Sequence, residues 1–186
     1  MRNEHGFRII LTAMFAAMVC VSTIVIQIPS PVGGYVNLGD ALVLMTAFLL
    51  GPLYGGAAAG IGSALADLIT GYAYYAPGTL VIKLLIAVVA ALINRAMIAG
   101  ASHMKQPLRY VIAGVPGEII MVVGYLFYAW FCLSRGASAL ASVPGNIAQA
   151  AAGIIIAAIL TPIVLRPKEI WEKLELFHAK DTDKNA

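Results

Sequence analysis

Charge is scarce in this sequence. Only 11% of its 186 residues are Asp, Glu, Lys or Arg, against about 25% in an ordinary soluble domain. That scarcity excludes a water-soluble globular protein. The formal net charge of +3 is small and spread over the ends, so no nucleic-acid partner is expected. Cysteine is nearly missing as well. Cys20 and Cys132 both sit inside apolar runs and read as small hydrophobes, not as a disulfide or a metal pair. The three histidines, His5, His103 and His178, fall outside the apolar runs, so no buried histidine base is expected. HExxH, GxSxG and Walker A patterns are absent. The expectation is a protein with no catalytic residues, no metal and no cofactor, and any active transport must draw its energy from elsewhere. No signal peptide is read at the start, because the first apolar run lacks a small-x-small cleavage site.

What the chain has is apolar length. Hydrophobic residues make up 61% of it, with a mean hydropathy of +0.88. This predicts an all-α, polytopic, multi-pass protein of a cell (plasma) membrane, with the bilayer as its solvent, and one domain over 1–186. Ile9 to Ile28 is a run of uncharged residues, long enough for one span of about 30 Å. Ala41 to Ala66 is also uncharged, but "LLGPLYGG" interrupts it. One helix or two over that stretch is decided by the positive-inside rule. With a break at Gly51-Pro52, nearly all the basic residues outside the spans fall on one side. We therefore predict six helices, at about 8–28, 40–50, 53–71, 79–99, 110–133 and 143–165. Both termini are then cytoplasmic, with a charged tail over 168–186. The second helix is short for a bilayer, which is tolerated where a helix lines a cavity. Asp40 stands where an N-cap is expected.

Several polar residues interrupt the apolar runs, and ionisable groups at membrane depth are functional candidates by default. Asp67 lies near the outer end of the third span, where it caps a turn or pairs with a cation. Lys83 either snorkels to the interface or points inward, toward Asp67 or a ligand. Glu118 shares a helical face with Met121, Tyr125 and Tyr128 and is either a hydrogen-bonding group between helices or part of a site. Asn146, Gln149 and Gly153 share another face, whose amides must bond other helices or a bound polar molecule. Tyr72, Tyr74 and Tyr75 form an interfacial belt or a stacking lid over an aromatic ligand. Gly56 and Gly60 have small-xxx-small spacing for close helix packing.

Four stretches carry a family resemblance: "GGYVNLGDALVL" (33–44), "GSALADLITGYAYYAPGTLVIK" (62–83), "PGEIIMVVGYLFY" (116–128) and "PGNIAQ" (144–149). Over residues 8–166 the chain resembles the S components of energy-coupling factor (ECF) vitamin transporters. The texture is that of the riboflavin, pyridoxine and hydroxymethylpyrimidine branch. The resemblance implies a bacterial, substrate-specific subunit of an ABC-type importer. Such a subunit binds one vitamin from outside and delivers it through a transmembrane coupling (T) subunit and two ATPase subunits. It also implies a gate over Pro29–Gly39, with Gly33, Gly34 and Tyr35 in the moving loop, and a docking motif at Ala13 and Ala17. The expected substrate contacts are Asn37, Asp67, Tyr74, Lys83, Glu118, Tyr125, Asn146 and Gln149. Those groups suit a small, mostly neutral heteroaromatic with hydroxyls. Many members follow the second tyrosine of the fifth-span motif with an acidic residue, whereas here Tyr128 is followed by Ala129 and Trp130. The expected vitamin is pyridoxine- or pyrimidine-like, with riboflavin as the alternative. A stand-alone secondary carrier is the rival class, and uptake by this chain alone in vesicles would reveal it.

Overall fold

The computed structural model describes residues 2–30, 33–100 and 104–166, with side chains from residue 6 onward. His103, His178 and the tail predicted over 168–186 lie outside the described residues. Five long helices dominate: α1 (Arg2–Val25), α2 (Gly39–Ile69), α3 (Ala76–Ala99), α4 (Gln106–Phe127) and α5 (Val143–Val164). Each contains or extends into a stretch long and apolar enough to cross a membrane, and their outward faces carry exposed Ile, Leu, Val and Phe. Water would reject such a surface, and lipid tails accept it. The chain is a multi-pass membrane protein.

The stretch predicted as two helices at 40–50 and 53–71 is one run of helical residues broken at Gly51. There φ is +78° and ψ −173°, a conformation that favours glycine. Pro52 follows, at a first helical position that needs no N–H donor. The chain turns back on itself at this point. The Thr46 hydroxyl donates to the Gly55 carbonyl at 3.1 Å, whereas nine residues of straight helix would span roughly 13 Å. The first arm, 39–50, has all but two of its residues buried. Its Phe48 stacks on Tyr110 of α4, with centroids 4.6 Å apart. Its Leu44 lies against Gly114 of α4, and Asp40 against Gly153 of α5. At about 18 Å this arm is too short for a bilayer, and protein rather than lipid surrounds it.

The second arm, 52–69, is pressed between two neighbours by its glycines. Gly62 faces the Ala16 carbonyl of α1, while Gly56 and Gly60 face Leu84 and the Leu80 carbonyl of α3. Side chains there would hold the backbones apart.

Between α1 and α2 the sequence led us to expect only a loop. The structure has a small antiparallel hairpin, β1 (Gln27–Pro29) and β2 (Tyr35–Asn37), with Ile28 opposite Val36. Gly33 and Gly34, with φ of +79° and +80°, make the return. At the same end of the bundle, α4 runs into a π-helical turn (Tyr128–Cys132), followed by a 3-10 turn (Gly136–Ser142) that leads into α5.

Candidate functional site

The hairpin covers a cavity at its end of the bundle. Every long helix contributes a wall: Thr23 from α1, Ser63 and Asp67 from α2, Thr79 and Lys83 from α3, Tyr125 from α4, and Asn146 and Gln149 from α5. Gly33, Gly34, Tyr35 and Asn37 close it from the hairpin side, with Tyr75 beside them. The cavity volume is about 50 Å³.

Lys83 is 2% exposed and Asp40 1%, and their side chains form an ion pair. This corrects two expectations. Asp40 does not cap α2. The residue at the N-cap is Leu38, without a side-chain bond, and the nearby Gly39 N–H donates to the side-chain Oδ1 of Asn37 at 2.8 Å. Nor does Lys83 pair with Asp67. The reversal at Gly51 brings the first arm into the middle of the bundle and sets Asp40 against α3 and α5. The second oxygen of Asp40 accepts from the Gln149 amide at 2.6 Å. Gln149 in turn accepts the Asn37 N–H at 2.7 Å. A continuous polar chain thus joins α3, α2, α5 and the base of the hairpin. Gly153 is needed for it, since a Cβ there would lie 2.9 Å from that of Asp40.

Asp67 occupies the other side of the cavity. One of its oxygens accepts from the Tyr35 hydroxyl at 2.7 Å; the other has no partner and is buried. The hydroxyls of Thr23, Ser30 and Ser63, also in the cavity wall, are buried and unpartnered too. Burial pushes the Tyr35 phenol upward, and the Asp67 carboxylate pushes it the same way, so Tyr35 remains a donor. Tyr125 donates to Thr79 at 3.0 Å, and its ring lies 5.5 Å from the Lys83 ammonium. Tyr35, Tyr72, Tyr74, Tyr75, Tyr125 and Tyr128 form a linked series of rings, with neighbouring centroids 4.9–6.3 Å apart.

Of the residues singled out in the sequence, Asn37, Asp67, Lys83, Tyr125, Asn146 and Gln149 are brought together around the cavity, with Gly33, Gly34 and Tyr35. Tyr74 and Glu118 are not. Tyr74 is 44% exposed, and its neighbour Tyr75 takes the place in the wall. Glu118 is buried outside the lining, and neither carboxylate oxygen has a hydrogen-bond partner. It is close enough to Asp40 and Lys83 to feel their charges. Sequence reading groups Tyr75 with Tyr72 and Tyr74 as a belt or lid, and passes over Thr23, Ser30, Ser63, Thr79 and Ser142, also in the wall. Four-residue helical spacing flags two of these: Ser63 precedes Asp67 by four, and Thr79 precedes Lys83 by four.

Ala13 and Ala17 are both exposed on α1, whereas Ala16 and Val19 of the same helix are buried.

Among known proteins, a relative from Pyrococcus woesei is 40% identical over 139 residues, which is 74% of this chain and 88% of that protein. It is described as an uncharacterized protein in gap 3'region. A family model described as the S component of the ECF-type riboflavin transporter matches residues 7–166. That match takes in the hairpin, every wall of the cavity and nearly all of the helical bundle, and the chain belongs to this family of vitamin-binding membrane transport subunits, which is not a family of enzymes.

Proposed function

We propose that this protein captures riboflavin, or a vitamin of closely similar chemistry, outside the plasma membrane and delivers it to a coupling subunit and two ATPases. One observation carries the reading: a tyrosine-rich cavity under the hairpin whose walls hold buried acceptors and hydroxyls without partners, Asp67 above all. Buried polar groups are ordinarily bonded. Unpartnered ones around a cavity suit a ligand that brings its own hydroxyl and N–H groups, and aromatic walls suit a flat heterocycle. Riboflavin offers both, and it is the vitamin in the family's description. A pyridoxine- or hydroxymethylpyrimidine-like vitamin is the second reading, favoured by the small free space of about 50 Å³. A three-ring flavin requires the hairpin to lift further. Mass spectrometry of small molecules co-purifying with the detergent-solubilised protein, followed by titration with all three vitamins, tests the proposal. Saturable binding of none of them overturns it.

The same reading takes the chain across the membrane six times, the short arm counted, with both termini cytoplasmic. Its support is the reversal at Gly51 and the gathering of basic groups at that end. Arg95 packs against Gly51, Arg8 lies over Tyr54 at 5.5 Å, and Arg109 donates to Asn94 at 2.9 Å. The positive-inside rule makes that end cytoplasmic. A cysteine at 74 is expected to react with an impermeant maleimide in intact cells, and a cysteine at 105 only after lysis. Equal labelling of both rules out this orientation. The P. woesei relative is archaeal, so family membership does not by itself imply a bacterial cell.

Docking on the coupling subunit is assigned to the exposed Ala13 and Ala17, where small side chains permit close backbone approach. Ala13→Leu with Ala17→Leu is expected to leave vitamin affinity unchanged. Recovery of the assembled complex should fall by at least about tenfold, equivalent to about 1.4 kcal/mol. Normal recovery removes the assignment.

A further inference from the structure

Arg135 forms no part of the cavity wall, yet three separate connections meet on it. Its guanidinium lies 5.9 Å from the ring centre of Tyr74 and 6.0 Å from that of Tyr75, in the turn before α3. It also lies against the hairpin tip. A Cβ on Gly33 would stand 2.6 Å from one terminal nitrogen and 2.8 Å from the other, so the guanidinium occupies the room that Gly33 leaves. The two elements it touches also touch each other. The Tyr75 hydroxyl donates to the Gly33 carbonyl at 3.4 Å, and a Cβ on Gly34 would stand 3.1 Å from the Tyr75 ring. The backbone of Arg135 is itself held. Its N–H donates to the Ala129 carbonyl at 3.1 Å, and its own carbonyl accepts from Ser138 at 2.7 Å. Among the described residues it makes no ion pair. Two tyrosine rings and the bare glycine are among the neighbours of its charged group.

We propose that Arg135 is a positioning residue that clamps the hairpin tip to the Tyr74–Tyr75 turn, and so sets how long a bound vitamin is retained. The planar guanidinium suits this place, since it stacks on rings where an ammonium does not. Because the clamp touches the lid and not the ligand, its loss acts on escape more than on entry. The retention half of the proposal rests on the reading of the cavity as a vitamin site; the clamp half does not, and the two are tested separately.

Stopped-flow quenching of riboflavin fluorescence, with full-length protein in nanodiscs, reads retention. Arg135→Ala and Arg135→Lys are both expected to raise the dissociation rate by about tenfold, with association changed by less than about threefold. Gly33→Ala, which crowds the guanidinium, should act in the same direction. Hydrogen exchange of the ligand-free protein reads the clamp. The Gly33 amide, bonded to the Ser30 carbonyl at 3.1 Å, should exchange about tenfold faster in Arg135→Ala, with α5 unchanged. Wild-type dissociation and wild-type Gly33 exchange in Arg135→Ala overturn the proposal. So does faster exchange throughout α5, which would mean general loosening. If wild-type protein fails to quench riboflavin, the riboflavin reading fails, and the exchange result still decides the clamp.

Discussion

Lys83→Ala is expected to cost this protein on the order of 3–5 kcal/mol of stability, the range found when one partner of a buried ion pair is removed. The effect should exceed that of Asp40→Ala. Lys83 is the one Lys or Arg in the cavity wall among the described residues. Without it, Asp40 stays 1% exposed with the Gln149 amide as its remaining donor. Without Asp40, the ammonium still lies 5.5 Å from the ring of Tyr125. A neutral pair of similar size, Asp40→Asn with Lys83→Met, should recover most of the loss, since replacing both members of a buried pair is often close to neutral. Unfolding midpoints of the purified variants in detergent measure this, with the single variants Asp40→Asn and Lys83→Met closing a double-mutant cycle with that pair. Additive losses, or an Asp40→Ala variant less stable than Lys83→Ala, contradict the account. Vitamin binding in the double variant carries separate information. Retained binding shows that the pair supports the cavity wall, while lost binding makes Lys83 a contact as well.

The partner of Lys83 illustrates where sequence reading reaches its limit. Helical runs were legible because apolar length and the placement of basic residues speak for themselves at membrane depth. Gly51-Pro52 was legible because that dipeptide combines a residue tolerant of positive φ with one lacking an N–H. Asp67 was the natural partner for Lys83, since the connection over 71–78 is short and makes neighbours of the helices it joins. Asp40 stands 43 positions before Lys83. It reaches Lys83 only because the first arm turns into the centre of the bundle and Gly153 leaves it room. Neither condition has a local signature. The hairpin was hidden for another reason. Strands of three residues are too short for an alternating pattern to show. Tyr74 and Tyr75 are adjacent in a tyrosine-rich turn, and nothing in their local pattern distinguishes Tyr75, whose ring enters the wall.

Asp67→Asn is expected to weaken vitamin binding by roughly 10- to 150-fold, the equivalent of losing one hydrogen bond to a charged group, about 1.5–3 kcal/mol. The two oxygens of Asp67 have different neighbours. One is occupied by the Tyr35 hydroxyl at 2.7 Å, and the other is buried and unpartnered beside the cavity. Asparagine keeps the size of the side chain, and its carbonyl oxygen can still accept from Tyr35. Its NH₂ then replaces the free oxygen, so a donor faces whatever the vitamin presents there. If the vitamin presents a hydroxyl or a ring N–H, donor meets donor, and Asp67→Asn should bind nearly as weakly as Asp67→Ala. If it presents an acceptor, Asp67→Asn should bind more tightly than wild type. Tyr35→Phe separates the tether from the contact. It frees the first oxygen and loosens the hairpin while leaving the second oxygen in place, so a smaller loss is expected. Titrating the three variants with the co-purifying vitamin, with unfolding midpoints as the control for folding, decides among these outcomes. Wild-type affinity in Asp67→Asn would remove the carboxylate from the binding site and leave the amides of Asn146 and Gln149 as the groups that read the ligand's polar edge.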